Sequence, residues 1–433
     1  MVRTRTFLFT ACALGLVAAC TSTATSSSST GSSSPATSNG APATATRGTV
    51  ASTDPAKADV VNKVVEANIE KRHLRSVIVK VTIDGKEILT RAYGESMTGV
   101  PATTDMHFRN GAVAISYVST LLLMLVDEKK VSLDDKVGTW LPDLPHANEI
   151  TLGQLAQMTS GYVDYVIGNE EMNKALYANP FRQWTTDELL AFAVTKPLWY
   201  PPGTNWNYAH TNYVILGLAL EKITGKPMAD VLQEKVLGPM GLTNTSGNAG
   251  TPAMPDPALH AFTSERKGAL NIPDSTGFYE ESTFWNPSWT ITHGAIQTTD
   301  IVDMDTTAIA IGTGKLLSPD SYQKMISTSL RGFGEAVPGC PTCAKQTEQY
   351  SYGMGIVTTG NWVMQDPLFS GQAGAFAYLP SQKVAVSLAL TVSKEGFAPD
   401  GSYTPETTDN AADAVWREIA AALVPNDAPP LKK

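Results

Sequence analysis

Between Gly111 and Val126 the chain runs for sixteen residues, GAVAISYVSTLLLMLV, without a charge. Its apolar positions Val113, Ile115, Val118, Leu121, Leu122 and Leu125 fall on every side of a helical wheel. A helix that is apolar all round must be buried all round. Sixteen residues fall short of the ~20 that a membrane span needs. The stretch therefore predicts the central core helix of a globular domain. Asp127 and Glu128 end the apolar run, and Leu133-Asp134-Asp135 opens a new element.

A chain of 433 residues is long enough for two or three domains, and 42% hydrophobic content supports a sizeable core. The formal charge is −9, or −11 once Arg3 and Arg5 are set aside, and no basic patch interrupts it. That balance argues against a nucleic-acid partner.

The first residues read as an export signal. Arg3 and Arg5 precede an apolar run from Phe7 to Ala19. Val17-Ala18-Ala19-Cys20 looks like a bacterial lipobox, in which Cys20 becomes the acylated first residue of the mature chain. A plain secretory signal cleaved near Ala19 is the alternative. The expectation is an exported protein held by lipid on the extracytoplasmic face of the cell membrane. Residues 20–56 are rich in Ser, Thr, Ala, Gly and Pro, and from 21 to 55 only Arg47 and Asp54 are charged. Such a segment cannot bury enough apolar surface to fold. As a flexible tether it would span on the order of 30 Å. The expected organisation is signal 1–19, linker 20–56, one folded domain 57–425 and a tail 426–433.

Cysteine usage fits that compartment. Cys12 falls in the signal and Cys20 is assigned to lipid, which leaves Cys340 and Cys343 in Pro338-Gly339-Cys340-Pro341-Thr342-Cys343. Two thiols at that spacing suit a redox pair or half a zinc site. With no second pair nearby, a local disulfide is the expectation in an oxidising exterior. No metal and no cofactor is implied.

Asp59 to Arg72 has the period of an amphipathic helix. Ser76–Ile83 and Lys86–Tyr93, joined by Asp84-Gly85, predict a hairpin with a tight primed turn. Phe369 to Thr391 reads as two or three strands and Asn410 to Leu423 as a closing helix, with loops at 331–348 and 394–405.

Several phrases at fixed spacing resemble class C β-lactamases, D-alanyl-D-alanine carboxypeptidases and related esterases. Phe108-Arg109, Gly111, Leu133-Asp134-Asp135 and Leu141-Pro142 carry the resemblance around the central helix. Thr159-Ser160-Gly161, Pro201-Pro202-Gly203, Tyr208 through Gly217, and Leu237 through Leu242 continue it. The resemblance implies a mixed α/β (α+β) fold: an antiparallel sheet flanked by helices, from about 57–105 and 350–425, plus an all-helical region from about 106–349.

The resemblance also marks where catalytic groups would stand. An acyl-enzyme hydrolase needs a nucleophile, a proton acceptor and oxyanion donors. The nucleophilic serine and the lysine of Ser-x-x-Lys are replaced by Ala112 and Ile115, and the spacing from Ala112 to Asp134 leaves no slip of register to rescue them. Tyr-x-Asn becomes Tyr208-Ala209-His210, and the third motif becomes Phe369-Ser370-Gly371, followed by Gln372. Without a cation nearby, a phenol near pKa 10 has no reason to ionise. Ser116, one turn into the helix, reads as a serine bonded to a backbone carbonyl. The resemblance places oxyanion N–H donors at Ala112 and Gln372.

Binding of a cell-wall peptide, a lipid or a protein by a pseudoenzyme is the leading expectation. The cleft would then be formed by Ala112, Tyr208, His210, Phe369, Ser370, Gly371 and Gln372. A hydrolase using Ser370 with His210, and a structural spacer, are the alternatives. Whether Phe369 lines an open pocket or fills it is left to the tertiary structure.

Overall fold

The computed structural model describes residues 52–247, 251–291, 295–407 and 410–431. The signal, Cys20 and almost all of the linker lie outside the described residues.

The first helix, α1 (Pro55–Lys71), starts four residues earlier than its apolar period suggests. Asp54 caps it, accepting from the Lys57 N–H, and Pro55 has no N–H that needs a partner. Strands β1 (Leu74–Ile83) and β2 (Lys86–Met97) form the expected hairpin. Asp84 and Gly85 both have positive φ, 50° and 71°, as a primed turn requires. The sheet gains β3 (Val100–Pro101), β4 (Ser351–Tyr352), β5 (Val357–Thr359), β6 (Trp362–Gln365), β7 (Leu368–Phe369), β8 (Gln372–Leu379) and β9 (Val384–Val392). The order is β3-β2-β1-β9-β8-β6-β5-β4, with β7 on β8, and every pairing is antiparallel.

Every residue of β8 and β9 is buried. That pattern needs cover on both faces, and it explains why these strands read as continuous apolar runs. The closing helix, Ala411–Leu423, packs beside α1, with Asn68 donating to Glu418 at 2.7 Å. Asn410 is its cap and not its first turn. The helix Ile301–Gly312 covers the sheet as well, and its Asp305 accepts from Thr82 Oγ1 at 3.1 Å.

The uncharged stretch forms α2 (Val113–Asp127), buried at all but a few positions near its end. Its hydroxyls are satisfied internally. Ser116 donates to the Val113 carbonyl at 2.6 Å, as the sequence suggests. Ser119 meets the Tyr213 hydroxyl at 2.7 Å, and Tyr117 meets Thr307 at 2.6 Å. At the far end Asp127 accepts from Ser318 and Ser321. α3 (His210–Thr224) packs alongside and ends on Gly225 in the left-handed region.

The region between the sheet halves is not wholly helical. Phe108–Arg109, Ser246–Gly247 and Gln297–Thr299 form a small antiparallel sheet, and Phe262–Thr263 pairs with Glu280–Glu281. Asn110 fixes the first by donating to Gln297 Oε1 at 2.5 Å. These two- and three-residue strands are too short to leave a period in the sequence. Among the described residues no helix is long and apolar enough to cross a membrane.

Candidate functional site

A cavity of about 410 Å³ opens where the start of α2 meets the β6–β7 loop and the start of α3. Gly111 lets these parts approach. It has φ +49°, and a Cβ there would lie 2.7 Å from Pro367 Cβ. Ala112 and Ile115 therefore face the cavity from the first turn of α2. One offers a methyl group and the other a branched alkyl chain, with no hydroxyl or ammonium.

Across from them stand Tyr208 and His210. The first turn of α3 is tied to the 160–164 loop: Thr211 donates to the Val163 carbonyl at 2.6 Å, and Ser160 donates to Asn212 at 2.5 Å. This places Asp164, almost fully buried, against the His210 ring. Nδ1 lies 3.2 and 3.0 Å from its two carboxylate oxygens. A neutral ring so held carries its proton on Nδ1 and presents Nε2 as an acceptor. Tyr208 meets this ring edge-on at 5.3 Å. Burial, then the negative charges of Asp164 and Asp366, push its phenol far above the usual range. It can donate a hydrogen bond but cannot serve as a base near neutral pH.

Phe369 and Ser370 form the opposite wall. Phe369 stacks on Trp289 at 5.6 Å with a 20° tilt, so the ring lines the cavity and leaves it open. Ser370 accepts through its carbonyl from Ser282 Oγ at 2.6 Å. Trp289 also lies 6.4 Å from His210, and among the described residues no hydrogen bond joins Ser370 to His210.

Two expected cleft residues sit elsewhere. Gly371 is packed so closely that a Cβ would lie 1.9 Å from the Phe262 carbonyl oxygen, and its N–H donates to Tyr403 at 2.9 Å. Gln372 is paired inside the sheet with Phe369 and Thr391, and its side chain donates to the Arg109 carbonyl at 2.9 Å. Gln372, the expected site of an oxyanion N–H, is not among the residues that line the cavity. The Ser370-Gly371 turn folds β8 back, and that turn carries Gln372 away from the cavity.

Several wall residues left no mark in the sequence. Trp289 lies in a loop without period, Gln365 ends a strand and Asp366 follows it, and Asp164, which backs the His210 ring from behind the wall, is one carboxylate in an aromatic loop. Glu265 sits in Ser264-Glu265-Arg266-Lys267, a run that reads as solvated loop. It nevertheless lines the cavity. Burial raises its carboxyl pKa, opposed by the hydroxyls of Ser370, Tyr403 and Thr263.

Cys340 and Cys343 are bonded to each other and pack with Tyr200, outside the cavity lining. Cys343 pairs with Asn207, one residue before Tyr208. No cluster of metal-ligating side chains occurs among the described residues.

A sheet closed at both faces by helices, with a cavity at the start of a buried helix, defines the scaffold of the serine hydrolases that include penicillin-recognising enzymes. The chain belongs to the β-lactamase family: the profile described as Beta-lactamase matches residues 61–413. It is 30% identical to penicillin-binding protein 4 of Amycolatopsis lactamdurans over 181 residues, 40% of this chain and 44% of that protein. It is 27% identical to the esterase EstB of Burkholderia gladioli over 214 residues, 45% of this chain and 54% of that one. The chain thus spans about half the length of these curated relatives. Its fold is similar to that of the D-amino acid amidase of Ochrobactrum anthropi SV3, solved with L-phenylalanine amide, with a TM-score of 0.68 and 19% identity over 86% of this chain and 99% of that one.

Proposed function

We propose that this is a cell-envelope protein of the β-lactamase family that binds a small carbonyl- or amide-bearing ligand without forming an acyl-enzyme. One observation carries the reading: at the head of the buried helix, Ala112 and Ile115 present only hydrocarbon to the cavity. The other polar groups do not make up the loss. Tyr208 is held protonated, and His210 is engaged by Asp164, with no serine hydrogen-bonded to its ring among the described residues. Binding and oxyanion donors alone leave ~10³–10⁴ over water in a disabled protease, far below the ~10⁶ and more of a working enzyme. An apolar cavity of this size with a few polar groups suits a ligand with one polar head and a hydrocarbon or aromatic body. The names of its relatives and of its structural neighbour point to penicillins, esters and amino-acid amides as candidates.

The test is incubation with a fluorescent penicillin, a chromogenic cephalosporin and short-chain esters. The expected outcome is no covalent adduct by intact-mass analysis and no turnover above buffer. A stoichiometric adduct would overturn the reading.

A second reading rests on the hydroxyl of Ser370 beside the carboxylate of Glu265, whose pKa is raised by burial. A serine with a basic carboxylate at hand is a candidate nucleophile. An adduct mapping to Ser370, abolished in Ser370→Ala, would establish this hydrolase in place of the binding protein.

A further inference from the structure

We infer that Glu265 is the subsite for a primary ammonium, so that the cavity takes a small amine with an aromatic or branched apolar body. This rests on the reading of the cavity as a binding site, and it names the ligand class.

Glu265 forms part of the cavity wall, yet its Oε2 is buried and has no hydrogen-bond partner. The groups that face it are neutral: the hydroxyls of Ser370, Tyr403 and Thr263, and the Tyr177 ring from the neighbouring helix. The Tyr403 hydroxyl accepts from the Gly371 N–H, which leaves its own O–H to point at Glu265 as a neutral donor. The two cations that follow it in the chain are directed elsewhere. Arg266 pairs with Glu280 at 3.3 Å. Lys267 donates to the carbonyls of Asp274 and Pro399. Glu265 is thus a carboxylate in a partly dry wall with no counter-charge of its own.

A carboxylate so placed is costly unless a partner cation and hydrogen bonds satisfy it. A ligand ammonium supplies three donors and the missing charge at once, and charge-assisted bonds of this kind are the strong ones. The rest of the wall suits the body of such a ligand. Tyr177, Leu176, Ile291, Trp289 and Phe369 are apolar or aromatic. The stacked pair Trp289–Phe369 offers a flat surface for a ring, and its faces also favour a nearby cation. Where the body carries a carbonyl, the phenol of Tyr208 is available as donor, since burial keeps it protonated. Amines of amino-acid amides and the free amino ends of short peptides meet these requirements.

The experiment is isothermal titration of the purified protein, near neutral pH, with 2-phenylethylamine and its neutral counterpart 2-phenylethanol. The wild type should bind the amine at least about tenfold more tightly, a gap of about 1.4 kcal/mol. Glu265→Gln should bring that ratio close to one while leaving the affinity for the alcohol unchanged. Equal affinities in the wild type, binding of neither probe, or an unchanged ratio in Glu265→Gln would each overturn the subsite. Where Glu265→Gln fails to fold, Glu265→Ala reads the same ratio, and a wild-type ratio retained in that variant overturns the subsite in favour of the Trp289–Phe369 ring faces. The two readings fail separately. An acyl adduct with penicillin removes the non-acylating reading and leaves the amine-to-alcohol ratio standing, whereas loss of the ratio removes only the subsite.

Discussion

Asp305 shows how a single residue can couple this fold to pH. It lies fully buried between its helix and the sheet, where desolvation, against the opposing charge of Lys80, pushes its carboxyl up to about 6. In the unfolded chain the same group titrates near the ordinary value of 3.8. Between those values the native state holds a proton that the unfolded state has released. The contribution is therefore fully present below about pH 4 and is lost as pH rises through about 6. Two units correspond to on the order of 3 kcal/mol. Asp305→Asn should flatten the fall of unfolding free energy with pH across this window. Denaturant titrations at several pH values would check it, and an equal slope in both proteins would remove Asp305 as the cause. At this scale the sequence was informative where a residue type settles its own chemistry. Alanine at 112 and isoleucine at 115 can neither attack nor accept a proton in any fold.

Among the elements, the disulfide loop has a direct route to the cavity. Pro341 presses on Gly168, where a Cβ would come within 2.5 Å of its ring, and Val166 and Ile167 just before it line the wall. On its other side Cys343 pairs with Asn207, beside Tyr208. The bond thus holds two segments of the cavity wall from outside. Closing so short a loop is worth roughly 2 kcal/mol in the chain-entropy treatment. The double variant Cys340→Ser, Cys343→Ser should melt earlier and bind 2-phenylethylamine more weakly. An unchanged affinity with a lowered melting temperature would confine the bond to stability. The elements legible in the sequence were those with a strong period or turn: α1, the β1–β2 hairpin, α2 and the last helix. The short strands around 108, 246, 262, 280 and 297 were not legible, because two or three residues carry no period and pair only when distant segments meet.

For the whole molecule, membrane attachment is a proposal that rests on the sequence around Cys20, outside the described residues. If Cys20 is acylated, the protein should sediment with membranes from its native host. Cys20→Ser should shift it to the soluble fraction. Wild-type protein recovered soluble with an unmodified N-terminus would remove the anchor. The main elements of the fold and the presence of alanine and isoleucine at the head of α2 were determined by the sequence itself, because buried helices, turns and residue identities are local properties. The membership of the cavity was decided by tertiary structure alone. Asp164 reaches His210 only because Thr211 and Asn212 hold its loop, and Glu265 faces the cavity only because β7 and β8 turn back at Gly371 against Phe262. The same turn draws Gln372 into the sheet and away from the site. Such placements depend on contacts between segments tens to hundreds of residues apart, and no local pattern encodes them.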